Sequence, residues 1–455
     1  MLTPVKATTD RPCRQPIAAA QHSVGDAAVT MGHGSPMTQA ETVVGNEQAV
    51  GTGTAENVAP IGFVEFVSLA AALMALTALG IDSMLPALPA IGASLHVVAE
   101  NQRQFVLSSF LFGLGAGQLV HGPLADRYGR RPVMGVALSL YVVANIVTAV
   151  SASFPLLLIA RFTGGAAVAA TRVVTVALVR DCFAGRAMAR VMSLAFMVFM
   201  AAPIFAPLMG TVVLLVGNWR LIFWIVAVIS LSVLGWFWLR MPETLKVEAR
   251  TPLSVRGLLH GWRVTVTDRS SLGYTLAASA LMGALYGFLN TVQQVVFDVF
   301  KAPNLLVPVF AMIAVMLAIA NLTNSKMVVR FGMRRISHSA LVGLIAIAVV
   351  HLVIAMTGRE TIVSFVVLQA LTMGCFALAN SNFSSMAMEN MGAIAGTASS
   401  VQGFVSITIG TLVGAMIGQA FDGSTAPLFA GYMISGLVAL AIVAVTERGR
   451  LFHAH

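Results

Sequence analysis

The chain has 455 residues, 58% of them hydrophobic and only 10% charged, with a mean hydropathy of +0.87. About a quarter of a soluble domain's residues are charged, so composition excludes a soluble globular protein and gives a polytopic membrane protein. The net charge of +9 would suit nucleic acid, but 18 of the 27 Lys and Arg fall on one side of the membrane topology and four on the other. That asymmetry is membrane orientation, not a nucleic-acid surface.

Residues 1–58 are polar and small, lack apolar periodicity, and read as a disordered cytoplasmic tail without a secretory signal. From about 61 to 446 the apolar runs are unbroken by period-two alternation, which excludes a barrel. At about 20 residues per crossing they leave room for a dozen helices. The fold class is all-α, with 12 transmembrane helices in two six-helix halves, 59–240 and 271–446. A cytoplasmic loop, 241–270, joins them, and a cytoplasmic tail, 447–455, ends the chain.

Helix 1, about 62–85, carries Glu65 near its cytoplasmic start and the stretch GIDSMLPALP from Gly80 to Pro89. Pro86 has no amide hydrogen, so the carbonyl of Asp82 loses its helical partner. A charged aspartate inside hydrocarbon costs roughly 2.5–3.5 kcal/mol on insertion scales, and an acid placed there can take up and release a proton. The plainer alternative puts Asp82 at the outer interface, just ahead of a proline turn. Glu65 reads as an interfacial acid.

Helix 2, about 104–120, holds Gly113 and Gly117 at GxxxG spacing, which lets helices approach closely. The stretch GPLADRYGRRPVM comes next, from Gly122 to Met134, before helix 3 at about 133–150. Arg127, Arg130 and Arg131 hold this turn on the cytoplasmic side. Asp126 beside them reads as an ion pair or helix cap. Helix 4, about 155–178, contains Arg161 and Arg172 with no acid in the same span. An intramembrane arginine needs a partner or a water-filled cavity. Arg180 and Asp181 end it on the cytoplasmic side. In helix 5, about 188–215, Pro203 and Pro207 kink the span, and Phe196, Met197, Phe199 and Met200 offer a soft apolar wall. Helix 6 begins after GNWR and ends near 239, before PETL.

In the second half, helix 7, about 271–296, carries Tyr286, Asn290, Gln293 and Gln294. Helices 8 and 9, about 305–327 and 336–356, are joined by VRFGMRR. There Arg330 and Gly332 repeat Arg127 and Gly129 at an offset of 203, with Val329 where Asp126 would stand. Helix 10, about 361–387, carries Gln369, Cys375, Asn380 and Asn382; helix 11, about 394–420, carries Gly410, Gly414 and Gly418; helix 12 ends before Glu447. The even count leaves both termini cytoplasmic.

No phosphate-binding loop, HExxH or GxSxG occurs, and Cys13, Cys182 and Cys375 show no pairing or metal spacing. The expectation is a non-enzyme without cofactor or metal, driven by an ion gradient, and a proton gradient fits Asp82 best.

Gly122, Asp126, Arg127, Gly129 and the adjoining basic residues fill every position of the loop motif between helices 2 and 3 of the major facilitator superfamily, which the chain resembles. GIDSMLPALP, LLLIARFTGGAA, VRDCF, MAAPIFAPLMG, PETL and GAIAGTASSVQGF are similar to phrases of the Bcr/CflA-type drug:proton antiporters. The chain departs from that pattern at Gly164, where relatives often have Gln, and at Ala202, Ala206 and Thr211, where glycine is usual. The resemblance implies a cavity between the halves lined by helices 1, 4, 7 and 10, with Asp82 and Arg161 coupling to protons. Candidate liners are Asp82, Arg161, Phe196, Met197, Tyr286, Asn290 and Asn380. Candidate gating residues are Gly122, Asp126, Arg127, Gly129, Arg130, Arg131, Pro203 and Pro207. The function so implied is proton-coupled export of small amphipathic compounds, drugs or antibiotics, by alternating access. The partners are the small-molecule substrate, protons and the lipid bilayer, and the setting is a monomer in a bacterial-type inner membrane. One alternative keeps the fold but exports a physiological metabolite such as a peptide or amino acid derivative. A remoter one, a transport-inactive membrane sensor, would need a folded signalling domain.

Overall fold

Hydrocarbon offers no hydrogen bonds to a backbone, so an apolar run that enters it must pair its own N–H and C=O groups, and each run does so as a helix. A computed structural model describes residues 60–250 and 254–452. The tail expected at 1–58 lies outside them. The first half comprises α1 (Phe63–Asp82), the short α2 (Leu88–Ser94), α3 (Phe105–Tyr128), α4 (Arg130–Val150), α5 (Phe154–Cys182), α6 (Gly185–Val216) and α7 (Trp219–Arg240). After a connecting helix, α8 (Val255–Thr267), come α9 (Arg269–Gln294), α10 (Leu306–Phe331), α11 (Met333–Met356), α12 (Ile362–Ala387), α13 (Ala395–Gln419) and α14 (Ala426–Thr446). Among the described residues, 11 helical stretches are long and apolar enough to cross a membrane. The 32-residue α6, apolar from Ala201 to Val216, is the twelfth crossing.

The first crossing is longer than its sequence suggests. It breaks at Asp82, makes a 3₁₀ turn over Leu85–Ala87, and continues through α2 to Ser94. Pro86 and Pro89 each stand in the first turn of the new segment, where a missing N–H costs nothing. The prolines that end α1 therefore also start the 3₁₀ turn and α2. The sharp turn packs against α6 at Gly210, where a side chain would run into the Ser83 carbonyl and the Pro86 ring.

Small residues set the helix spacing within and between halves. A Cβ on Gly113 of α3 would collide with the Phe162 carbonyl of α5, and one on Gly165 of α5 with the Phe110 carbonyl of α3. The two backbones are thus in mutual contact, the arrangement that GxxxG spacing permits. Gly410 and Gly414 of α13 likewise leave no room for a Cβ against Met282 and Tyr286 of α9. The halves meet where α3 runs along α13 and α6 along α10.

The segment 241–270, expected as a loop, contains the 13-residue α8. Its start is capped by Ser254, whose hydroxyl accepts from the Gly257 N–H at 3.1 Å. Gly261 sits on Thr397 of α13, so α8 lies against the second half.

Gly165→Leu should force α3 from α5 and cost about 1–3 kcal/mol as overpacking does. Detergent-solubilised variant protein should lose monodispersity at a temperature several degrees below wild type; equal thermal stability would show that the two backbones can separate freely.

Candidate functional site

The glycine–arginine turn between α3 and α4 is tied to three acids from three places in the first half. Arg130 is buried and donates from Nη1 to Asp126 at 2.6 Å and from Nε to Asp181, at the end of α5, at 3.2 Å. Glu243, just beyond α7, accepts from the backbone N–H groups of Arg130 and Arg131 at 2.9 and 3.1 Å. These are first-turn donors of α4 with no helical partner, so Glu243 caps that helix from a distance. Gly129 has φ +106°, and a Cβ there would strike the Glu243 carboxylate. Only glycine fits both demands. Arg131 donates to the Trp238 carbonyl at 2.8 Å and stacks over its ring, and Arg127 lies over Tyr128.

The second half repeats the scheme with different acids. Gly332 has φ +78°, and Arg334 pairs with Glu447, after α14, at 2.9 Å and with Glu389, after α12, at 3.4 Å. Burial pushes the Glu447 carboxyl up, but hydrogen bonds from Tyr274 and Arg334 hold it below the ordinary carboxylate range. Val329, where the loop acid would stand, is exposed.

At the opposite end of the molecule the two halves are sewn together by amides. Gln104 donates to the Gly418 carbonyl at 3.1 Å and to Gln294; Gln294 donates to Asn101 at 2.9 Å; Asn101 donates to the Phe421 carbonyl at 2.9 Å. Gln419 returns a bond to the Asn101 carbonyl at 2.8 Å, and one level deeper Ser108 donates to Asn290 at 3.3 Å. Every one of these bonds joins one half to the other. With Gln104, Ser108, Asn290 and Gln294 all buried, that end is closed.

Between this seal and the charged turn lies a cavity of about 690 Å³, walled by α3, α5, α9, α12 and α13, with Ser254, Gly257 and Trp262 of the α8 region at its mouth. Asp126, Arg130 and Arg180 reach the same mouth, so the cavity belongs to the end that carries the charged turns.

Residues 70–415 match the family model described as Major Facilitator Superfamily. The chain belongs to the major facilitator superfamily. The uncharacterized MFS-type transporter YdgK of Bacillus subtilis is 29% identical over 75% of this chain and 85% of its own. A bicyclomycin resistance protein homolog of Haemophilus influenzae is 28% identical over 83% of this chain and 94% of its own. The multidrug resistance protein MdtL of Escherichia coli is 33% identical over 37% of this chain and 43% of its own. In fold it is similar to crystal structures of the human organic anion transporter MFSD10 (18% identity, TM-score 0.59, 84% of this chain and 100% of that one) and of a D-xylose–proton symporter (15%, 0.62, 84% and 97%).

Within this multi-pass membrane protein the residues expected to act together lie in separate places. Asp82, at the last position of α1, is buried, and its Oδ1 has no hydrogen-bond partner. Arg161 is buried too, but it makes no ion pair with Asp82. Its Nη2 donates to the Gly80 carbonyl at 2.6 Å, and its guanidinium lies 4.2 Å from the Phe110 ring centroid. Gly80 is in the final turn of α1, where carbonyls run out of helical partners. The arginine therefore satisfies a broken helix end rather than the acid beside it.

Of the seven expected liners, Asn380 is in the cavity wall. Asp82 and Arg161 lie outside it, towards the sealed end. Tyr286 and Asn290 are buried where α9 meets its neighbours, and Asn290 belongs to the seal. Met197 is exposed on α6 and outside the wall, and the Phe196 side chain lies outside the described residues. Gly122, Asp126 and Arg130 line the mouth. Pro203 and Pro207 fall inside α6, which stays helical through both.

Sequence reasoning passes over two groups and leaves the two arginines of one helix undistinguished. Glu243 is visible only as part of PETL, because its role depends on a contact more than 100 residues away. The amide seal is hidden because Gln and Asn inside apolar runs suggest cavity and packing alike. Arg172, which faces the cavity, has the same residue type in the same helix as Arg161.

In a background without native cysteines, replacing Gln104 and Gln294 by Cys and joining them with a short bismaleimide should hold the halves shut at the sealed end. Substrate exchange across proteoliposomes should then fall at least tenfold. Full exchange by the cross-linked protein would mean that this end does not open.

Proposed function

We propose that this superfamily member is a proton-driven exporter of small amphipathic compounds, antibiotics or related toxicants. It would work by alternating access from an inner membrane, with both termini and both charged turns on the cytoplasmic side. The observation that carries the reading is Asp82: a buried carboxyl with an oxygen lacking any partner, at the point where the first crossing breaks. A carboxylate left in that state is costly, so such a group can exchange a proton as the surroundings lose or admit water or a cation. Two relatives bear names that refer to bicyclomycin and multidrug resistance, which favours toxicants as cargo.

The arrangement supports a cycle. With the amide seal closed and the cavity at the cytoplasmic end, cargo enters from inside. Rocking of the halves then opens the seal and exposes Asp82 to the outer side, where a proton binds as cargo leaves. Return to the present conformation carries the proton inward. One charge moved through 100 mV supplies about 2.3 kcal/mol, roughly a fiftyfold concentration ratio. No cofactor is required, and a monomer contains every part of the cycle.

Asp82→Asn fixes the neutral state and should abolish gradient-driven export in everted vesicles while the protein still inserts and folds; normal proton-coupled exchange by that variant would refute the assignment. Asp126→Ala should slow turnover several-fold with cargo affinity unchanged, because it loosens the turn without touching the closed end. Equal loss of affinity would place Asp126 in binding instead.

A further inference from the structure

The cavity wall carries a cation, Arg172, that no acid among the described residues neutralises. Arg172 of α5 lies in the cavity wall with its side chain exposed to that space, and among the described residues it makes no hydrogen bond or ion pair. The wall offers it no acid. Asp126, the carboxylate in the lining, is bound to Arg130 at 2.6 Å, and Arg180 adds a further positive charge at the mouth. The contrast with Arg161 on the same helix is informative. Eleven residues earlier, that guanidinium is buried and its donors are taken by carbonyls of Gly80 and Val106. Arg172 keeps its donors free for something that is not part of the chain.

Two further polar atoms in the wall are unclaimed. The buried hydroxyl of Thr275 on α9 and the side-chain N–H₂ of Gln402 on α13 have no hydrogen-bond partner, and both residues line the cavity. Around these groups Val173, Val176, Met282 and Trp262 give apolar surface. A planar guanidinium matches a carboxylate in a paired geometry, and such charge-assisted bonds are about twice as strong as neutral ones.

We propose that the cavity is built for organic anions: a compound with an apolar body and an oxyanion group, such as a carboxylate or sulfonate, that pairs with Arg172 while Thr275 and Gln402 bond its remaining polar atoms. The positive wall gives the cavity its charge preference, and the apolar patches receive the body of the cargo. This rests on the exporter reading only in taking the cavity as the cargo site, since binding needs no gradient.

The test is equilibrium binding to the purified full-length protein in detergent, read by fluorescence anisotropy with carboxyfluorescein as the anionic probe and ethidium as the cationic one. Wild type should bind carboxyfluorescein in preference to ethidium. Arg172→Gln should weaken carboxyfluorescein at least tenfold, leaving ethidium no weaker, and Arg172→Lys should retain the anion within a few-fold, which separates lost charge from lost fold. Equal carboxyfluorescein affinity in Arg172→Gln, preference of wild type for ethidium, or no carboxyfluorescein binding by wild type would each overturn the proposal. Repeating the measurement on Asp82→Asn keeps the two readings apart, because anion binding should survive there even if proton-coupled export is shown to be wrong.

Discussion

Two arginines in one membrane-spanning helix, with no acid in the apolar part of that helix to neutralise either, are the constraint around which the first half is arranged. A guanidinium in hydrocarbon must be hydrogen-bonded or wet. Arg161 takes the first solution and Arg172 the second. For Arg161 the donors go to carbonyls, chiefly that of Gly80 in the last turn of α1, and the flat face rests on Phe110. This requires α1 to end just there, which Pro86 enforces, and requires α5 to approach α3 closely, which Gly113 and Gly165 allow. For Arg172 the requirement is a space between halves that water can enter, and the cavity is such a space. Helix break, helix spacing and cavity are thus linked through one span.

The two ends of the molecule are held by different chemistry. At the sealed end neutral amides and hydroxyls join one half to the other. At the charged turns the bonds stay within a half: Arg130 with Asp126 and Asp181, Arg334 with Glu447 and Glu389. A neutral amide hydrogen bond contributes only about 0.5–1.5 kcal/mol net, so a seal made of several can open without exposing an unpaired charge. The ion pairs hold each turn rigid so that each half can move as a body. This division suits rocking about a central chamber, as expected of repeats related by an axis along the membrane normal.

Much of this is legible in the sequence, and the parts that are not have a common cause. Apolar runs of about 20 residues and the ordered glycines and arginines of the α3–α4 turn are local signals, and they define the spans, the halves and the charged turns. The second-half turn can be read from Gly332 and Arg330, but its acids cannot, because Glu389 and Glu447 reach Arg334 only after α12 and α14 have packed. The same holds for Glu243 and Arg131. Periodicity cannot separate Arg161 from Arg172: 11 residues are about three turns of helix, so both positions share a face, and only the neighbouring helices determine which is buried. In 241–270 the basic residues and the short length of α8 mask a helix whose stability comes from lying against α13.

Asp82 stands apart from these devices, and its isolation is chemically useful. Had Arg161 paired with it, the carboxylate would be stabilised in its charged form and a proton would bind only in acid. Arg161 is bonded instead to the Gly80 carbonyl, and the acid is left buried without a partner for Oδ1. In the proposed cycle the balance between neutral and charged states would turn on how much water reaches the group, a quantity that separation of the two halves would change. A break in the helix at this residue adds a second lever, since α1 and the turn at Leu85–Ala87 are distinct segments, the latter packed on α6 at Gly210. Movement of α6 relative to α1 would therefore bear directly on the acid's surroundings, which is what coupling between conformation and protonation physically requires.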